Sequence, residues 1–220
     1  MGLFITFEGP EGSGKTVQAR LLADWLQAQG RPLLLTREPG GTSIGDQIRT
    51  VLHDVANTAM LPSTEILLYS ASRAQHVGEV IRPALARGEI VLCDRYADST
   101  LAYQGYGHGL DLGTLRAITA FATGGLLPDL TIYLDIAAAA GLRRKYQAFQ
   151  AGETEWNRMD RQALDFHRRV RQGYRAMAAA EPGRWLVLDA RRTIEAIQED
   201  IRARVRGLLE GAGNRHPERS

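Results

Sequence analysis

Eight residues constrain this chain more than any others: Gly9-Pro10-Glu11-Gly12-Ser13-Gly14-Lys15-Thr16, which follow an apolar run at Leu3 to Phe7 and precede a helical pattern. The spacing G-x-x-x-x-G-K-[ST] between a strand and a helix predicts a loop whose glycines let successive N–H groups point inward at phosphate oxygens. The helix that follows offers its N-terminal dipole to the same anion. Lys15 can reach the β and γ phosphates, and the Thr16 hydroxyl can ligate Mg²⁺. Only two lysines, Lys15 and Lys145, stand among the 27 basic residues, so the motif lysine is not an accident of composition.

Around this cradle, strand and helix patterns alternate. Continuous apolar runs at Leu3 to Phe7, Leu33 to Leu35, Ile90 to Cys93, Leu130 to Leu134 and Trp185 to Leu188 read as strands covered on both faces. Helical patterns lie between them at Lys15 to Gln29, Ser43 to Leu52, Thr64 to Arg87, Leu112 to Thr123, Ala137 to Gln150, Asp160 to Ala180 and Thr193 to Glu210. The alternation predicts an α/β fold with a parallel sheet and right-handed crossovers. In the long Thr64 to Arg87 helix, Leu67, Ala71, Ala74, Ile81 and Leu85 are expected to form the core stripe, with Tyr69, Arg73 and His76 on another face. A polar break at Gln150 to Trp156 fits either a mobile lid or a plain connection, and residues 211–220 lack periodicity and read as a disordered tail. With 44% hydrophobic and 24% charged residues, intrinsic disorder and collagen-like structure are excluded. A net charge of +2 calls for neither nucleic acid nor an anionic membrane as partner. One cysteine, Cys93, and a start directly in a strand pattern point to a reducing cytoplasm, without export or anchoring.

A phosphate cradle specifies nucleotide binding, not a reaction. The D-x-x-G and N-K-x-D elements of switch GTPases are absent, as is the Leu-Ser-Gly-Gly-Gln type signature of transport ATPases. Instead Asp94-Arg95-Tyr96 closes the third strand: the carboxylate can hold a magnesium-bound water and the guanidinium can clamp a second phosphate. Arg37 and Arg49 stand near the end of the second strand and on the helix after it, where they can converge on an acceptor phosphate. Tyr69 and Arg73, four residues apart on one helix, suit a base: the ring can stack while the guanidinium donates to a carbonyl such as thymine O4. The five histidines show no metal spacing and are read as structural or solvent-facing, Cys93 as a buried small hydrophobe, and the three tryptophans as core or lid packing.

Four segments together resemble the bacterial thymidylate kinase family of the nucleoside monophosphate kinase group: Phe7 to Thr16, Thr36-Arg37-Glu38-Pro39-Gly40-Gly41-Thr42, Asp94-Arg95-Tyr96 with Ser99, and Ala102-Tyr103-Gln104-Gly105. The resemblance runs from about Leu3 to about Leu209. It implies a three-layer P-loop fold with a five-stranded parallel sheet in order 2-3-1-4-5, flanked by helices and carrying a helical lid. The chain is then one P-loop kinase domain over residues 1–210, with the lid at about 143–160, working as a homodimer on ATP and dTMP. The resemblance makes Gly9 through Thr16 the ATP site, and it places Arg37, Arg49 and Arg95 around the dTMP phosphate. Tyr69 stacks on the base, Arg73 reads its carbonyl, and Ser99, Thr100 and Gln104 line its site. Tyr103 crowds the sugar 2′ position and Glu11 approaches the 3′-hydroxyl. No position among Pro10 to Ser13 is basic, so a lid arginine must meet the transferring group. Asn157-Arg158-Met159-Asp160 matches the family's lid element and nominates Arg158, while a connection longer than the family pattern leaves Arg143, Arg144 and Lys145 as alternatives.

The expected reaction is transfer of the γ-phosphoryl group from ATP, with Mg²⁺ bound by Thr16 and, through water, by Asp94, to dTMP, giving dTDP and ADP. Lys15, Arg95 and Arg158 carry the catalysis by position and charge, since the acceptor phosphate is already ionised at neutral pH. A P-loop kinase of another small acceptor and a non-enzymatic ATP-binding switch are the competing readings.

Overall fold

The computed structural model describes residues 2–213. Five parallel strands form one sheet in the order β2-β3-β1-β4-β5: β1 is Leu3–Glu8, β2 Leu33–Arg37, β3 Ile90–Asp94, β4 Leu130–Asp135 and β5 Trp185–Asp189. This is the predicted order. The register pairs Asp94 with both Phe7 and Arg37, so the carboxyl ends of β1, β2 and β3 finish in one row, and every chemical group expected from those strands emerges along that edge.

Alternate residues of the three central strands β3, β1 and β4 are buried on opposite faces, so these read as unbroken apolar runs, while the edge strands expose Leu35 and Val187. Ile5, Phe7, Leu92 and Ile132 pack with Leu22 and Leu26 of α1 (Lys15–Ala28) and with Ile201 and Val205 of α9 (Ile194–Gly213). On the other face, Phe4, Val91 and Cys93 meet Val77 and Ile81, while Tyr133 and Trp185 meet Phe166, Val170 and Tyr174 of α8 (Leu164–Ala180). The remaining helices are α2 (Ser43–His53), α3 (Pro62–His76), α4 (Arg82–Ala86), α5 (Ala97–Thr100), α6 (Leu112–Thr123) and α7 (Ala138–Gln150). Caps fix their starts where the sequence supplies them. Thr42 Oγ1 accepts from Gly45 N at 2.9 Å, and Asp111 accepts from Thr114 N at 2.6 Å. By contrast α1 begins at Gly14 with no side-chain cap, leaving its first N–H groups to a ligand.

Four expectations need correction. The long helix expected over Thr64 to Arg87 is broken by a π-helical turn at Val77–Ile81 ahead of Pro83, which has no N–H to donate to the preceding turn. Its core stripe holds only at the C-terminal end, where Ile81 is buried and Leu85 packs against the core; Leu67, Ala71 and Ala74 face solvent, whereas Arg73 and His76 are buried. The helix expected from Asp160 starts instead at Leu164. Asn157 Oδ1 accepts from Met159 N at 2.9 Å and Asp160 accepts from Asn157 N at 2.8 Å, so these side chains support a separate 3₁₀ turn at Met159–Arg161. Finally, α9 continues to Gly213, so the first three residues of the expected tail are helical; the rest of that tail lies outside the described residues.

Candidate active site

The cradle closes around its own lysine. Lys15 Nζ donates to Gly9 O at 3.1 Å, Pro10 O at 2.9 Å and Ser13 Oγ at 3.3 Å. Burial and the charge of Arg95 push this ammonium down to about pKa 8, against the pull of Glu11, Asp94 and Glu8. Gly12 has φ +65° and a Cβ there would stand 2.0 Å from Gly141 O, so only glycine lets α7 pack onto the loop. At the sheet edge Thr16 Oγ1 donates to Asp94 Oδ2 at 2.5 Å. Two hard oxygen ligands side by side suit Mg²⁺. Thr16 and Asp94 are the residues that could hold such a cation; among the described residues there is no group of three or more His, Cys, Asp or Glu side chains that could hold a metal.

Beside the cradle, Glu11 gathers three donors: Arg95 Nη2 at 2.7 Å, Tyr103 OH at 2.8 Å and Lys145 Nζ at 3.2 Å. Burial opposes its charge, but Arg95, Lys145 and Lys15 hold its carboxyl well below the usual range. Arg95, at φ +70°, also reaches Gly9 O at 3.2 Å and Ser99 Oγ at 3.3 Å and lies over the Tyr103 ring at 4.9 Å. Beneath them sits Glu8, which the sequence reading missed. It accepts from Tyr96 N at 2.8 Å, Ser99 Oγ at 2.6 Å and Tyr174 OH at 2.7 Å, and burial raises its carboxyl to about pKa 7.

The acceptor end lies across the same cleft, whose volume is about 930 Å³. Arg73 is held rigid by Glu38 Oε2 at 2.7 Å, Thr100 Oγ1 at 2.8 Å and Tyr96 O at 3.1 Å. Glu38 also pairs with His76 at 3.1 Å, and the Glu38–Pro39 peptide is cis. Arg37 donates to Pro39 O at 2.9 Å and to Asp46 at 3.2 Å. Arg49 reaches Pro39 O at 3.3 Å and pairs with Glu155, which His53 Nδ1 also contacts at 2.7 Å. Tyr69, Ser99, Thr100, Tyr103 and Gln104 line the cleft as well. Of the residues nominated by sequence, Gly9 and Pro10 lie under the loop and contribute only their carbonyls to Lys15.

Of the four lid cations nominated, Arg158, the first choice, is placed away from the cleft. It is buried, donates to Leu52 O at 3.1 Å, pairs with Glu65, and does not line the cleft. Lys145 lies in the cleft instead, between Glu11 and Asp160 Oδ1, the latter at 2.7 Å. Arg144 also lines the cleft while donating to Ala190 O at 2.8 Å, and Arg143 is exposed outside it. The connecting segment is anchored by Trp156 against Tyr146 and Phe149, with ring centroids 5.3 and 6.2 Å apart.

A phosphate cradle at the carboxyl edge of a parallel sheet in this order, opening on one cleft with Arg37, Arg49, Tyr69 and Arg73 across from it, has the architecture of a P-loop kinase. The thymidylate kinase family model matches residues 7–201. A thymidylate kinase of Roseiflexus sp. (strain RS-1) is 59% identical over 216 residues, covering 95% of this chain and 96% of the relative. One from Deinococcus radiodurans is 55% identical over 204 residues, 93% and 96% of the two chains. The crystal structure of thymidylate kinase from Ehrlichia chaffeensis superposes with a TM-score of 0.74 at 30% identity, covering 93% of this chain and 98% of that one. The chain belongs to the thymidylate kinase family.

Proposed function

We propose that the chain transfers the γ-phosphoryl group of ATP to dTMP, giving dTDP and ADP for DNA synthesis. The observation that carries this reading is the single cleft joining the Lys15 cradle to the Tyr69–Arg73 pocket, with Arg95 and Glu11 between them. ATP phosphates take over the Lys15 ammonium from the carbonyls of Gly9 and Pro10. The dTMP base stacks on Tyr69, Arg73 donates to its carbonyl, and Arg37, Arg49 and Arg95 receive its phosphate. Tyr103 excludes a 2′-hydroxyl, and Glu11 takes the 3′-hydroxyl. Bound Mg²⁺, held by Thr16 and through water by Asp94, would neutralise charge on the transferring phosphates. The lid, residues 143–160, supplies the last cation from Lys145, whose ammonium is already in the cleft; Arg158 supports the lid from behind. Because the acceptor oxygen is ionised, positioning and charge neutralisation suffice and no general base is required.

The same reading makes the protein a cytoplasmic homodimer. Supporting it, Leu67 on α3 is 59% exposed beside exposed Ala71 and Ala74, and Phe121 on the neighbouring α6 is 90% exposed. Among the described residues no helix is long and apolar enough to cross a membrane, and Cys93 is a buried free thiol. A coupled assay of ADP release with dTMP, dUMP, dCMP and dAMP tests the activity: turnover selective for dTMP is expected, and equal turnover of dCMP refutes the base-pocket assignment. Light scattering of wild type and Leu67→Glu tests the dimer; a monomeric wild type refutes it.

A further inference from the structure

Glu65 belongs to no step described so far, yet it is among the most deeply buried carboxylates in the molecule, at 1% exposure in the first turn of α3. Four groups face it. Gln104 Nε2 donates to Oε1 at 2.7 Å, His108 Nε2 lies 3.3 Å from the same oxygen, Arg158 pairs with Oε2, and Tyr69 stands one turn along the same helix. Burial alone would favour the neutral acid, but hydrogen bonds from His108 and Gln104 and the charge of Arg158 hold the carboxyl below its usual range. An ionised carboxylate only accepts, so it dictates the orientation of any amide it touches. Gln104 must turn its NH₂ toward Glu65, which leaves its carbonyl oxygen for the cleft that Gln104 lines; among the described residues no protein donor bonds that oxygen.

We propose that Glu65, with Arg158 as its counter-ion, is a positioning residue for base selection: it locks the Gln104 amide so that only an acceptor is presented to the base. This rests on the base-pocket reading above and deepens it. A thymine or uracil ring carries a donor at N3–H beside the O4 acceptor. Cytosine carries an acceptor at N3 beside an amino donor. With Arg73, which can only donate, held in place by Glu38, and Gln104 fixed as an acceptor by Glu65, the pocket offers the pattern of the first pair and opposes the second at both positions. A free glutamine could rotate by half a turn and satisfy either base, so the discrimination at this position resides in Glu65 as much as in Gln104. It also gives Arg158 a task while it stands outside the cleft.

The test is the ratio of kcat/KM for dTMP to that for dCMP. Glu65→Gln offers either a donor or an acceptor to Gln104, so the ratio should fall by about tenfold or more through a higher dTMP KM and better use of dCMP, with the KM for ATP unchanged. The exchange Glu65→Gln with Gln104→Glu places the obligate acceptor directly in the pocket and should restore preference for dTMP, which a merely structural role for Glu65 would not do. A folded Glu65→Gln protein with an unchanged ratio overturns the proposal. If wild type itself shows no preference for dTMP, the parent assignment fails instead. Should Glu65→Gln not fold, wild type labelled with ¹⁵N-glutamine decides. The Gln104 amide should show a shifted, slowly exchanging proton in the free protein that persists when dTMP is added; a freely exchanging amide, or one whose proton transfers its bond to the ligand, overturns it.

Discussion

Replacing Lys145 by Met separates the two lid cations. The ammonium lies 3.2 Å from Glu11 and 2.7 Å from Asp160 and is largely buried, so charge developing on the transferred group is screened weakly. Two unit charges about 4 Å apart interact by about 4 kcal/mol at an effective dielectric of about 20. Only part of a unit develops between ground and transition state, so about 2–4 kcal/mol reaches the barrier, or roughly 30- to 1,000-fold in kcat. Both KM values should move by less than about threefold, because the contact is strengthened chiefly in the transition state. Arg158→Met should behave in the opposite way. Removing the partner of a buried carboxylate costs about 3–5 kcal/mol, which for a domain of this size lowers Tm by roughly 6–20 °C, while kcat measured well below Tm falls less than about tenfold. Coupled ADP-release kinetics and thermal melts on both variants check this. A Lys145→Met enzyme with wild-type kcat, together with an Arg158→Met enzyme that loses turnover at unchanged Tm, would show that Arg158 leaves Glu65 on closure and that the transferring group is met by the arginine.

Because Lys15 is depressed to about pKa 8, its charge in the free enzyme is lost as pH rises through that value, so kcat/KM for ATP should fall above about pH 8 while kcat, read on enzyme whose bound phosphates favour the ammonium, holds to higher pH; parallel profiles refute this. Glu155→Gln should lower the KM for dTMP a few-fold and leave that for ATP unchanged, since Arg49 is released from a carboxylate that occupies the place of the acceptor phosphate; an unchanged dTMP KM removes Glu155 from competition. Arg73→Ala should weaken dTMP binding by about 1–3 kcal/mol without weakening ATP and should also lower Tm, because Glu38 loses its buried partner. Equal loss for both nucleotides refutes the pocket assignment.

What was legible in the sequence was what neighbouring residues decide. The cradle is a backbone conformation written by the closely spaced Gly9, Gly12 and Gly14 and the helix they open, and the central strands are runs buried on both faces, so both could be read directly. The region from Ala97 to Gly107, which carries Tyr103 and Gln104, was not foreseen as helical, since its glycines and polar residues hide a periodicity that tertiary packing imposes. On α3 the apolar residues Leu67, Ala71 and Ala74 suggested the buried face, but a functional cleft lies under the polar one, and Arg73 and His76 are buried there because Glu38 satisfies them. Arg158 was found by its local motif and given the wrong surroundings, because the partner that turns it from the cleft, Glu65, is 93 positions away.

The exposure of each pair separates what the substrates must displace from what they leave in place. In the free protein each cation expected to meet a phosphate is already engaged: Lys15 by carbonyls, Arg95 and Lys145 by Glu11, Arg49 by Glu155 and Arg37 by Asp46. Glu155 is 49% exposed on the connecting segment, so water competes for it and an arriving dianion can replace it at small cost. Glu38 and Glu65 are 3% and 1% exposed, and to break either pair would strand a charge in a dry interior. Those pairs therefore persist when substrate binds, and their work is to fix the position of Arg73 and to hold Gln104 as an acceptor. The exposed carboxylates Glu155 and Asp46 thus keep Arg49 and Arg37 compatible with an empty cleft, and the buried Glu38 and Glu65 carry the orientation that selects the base.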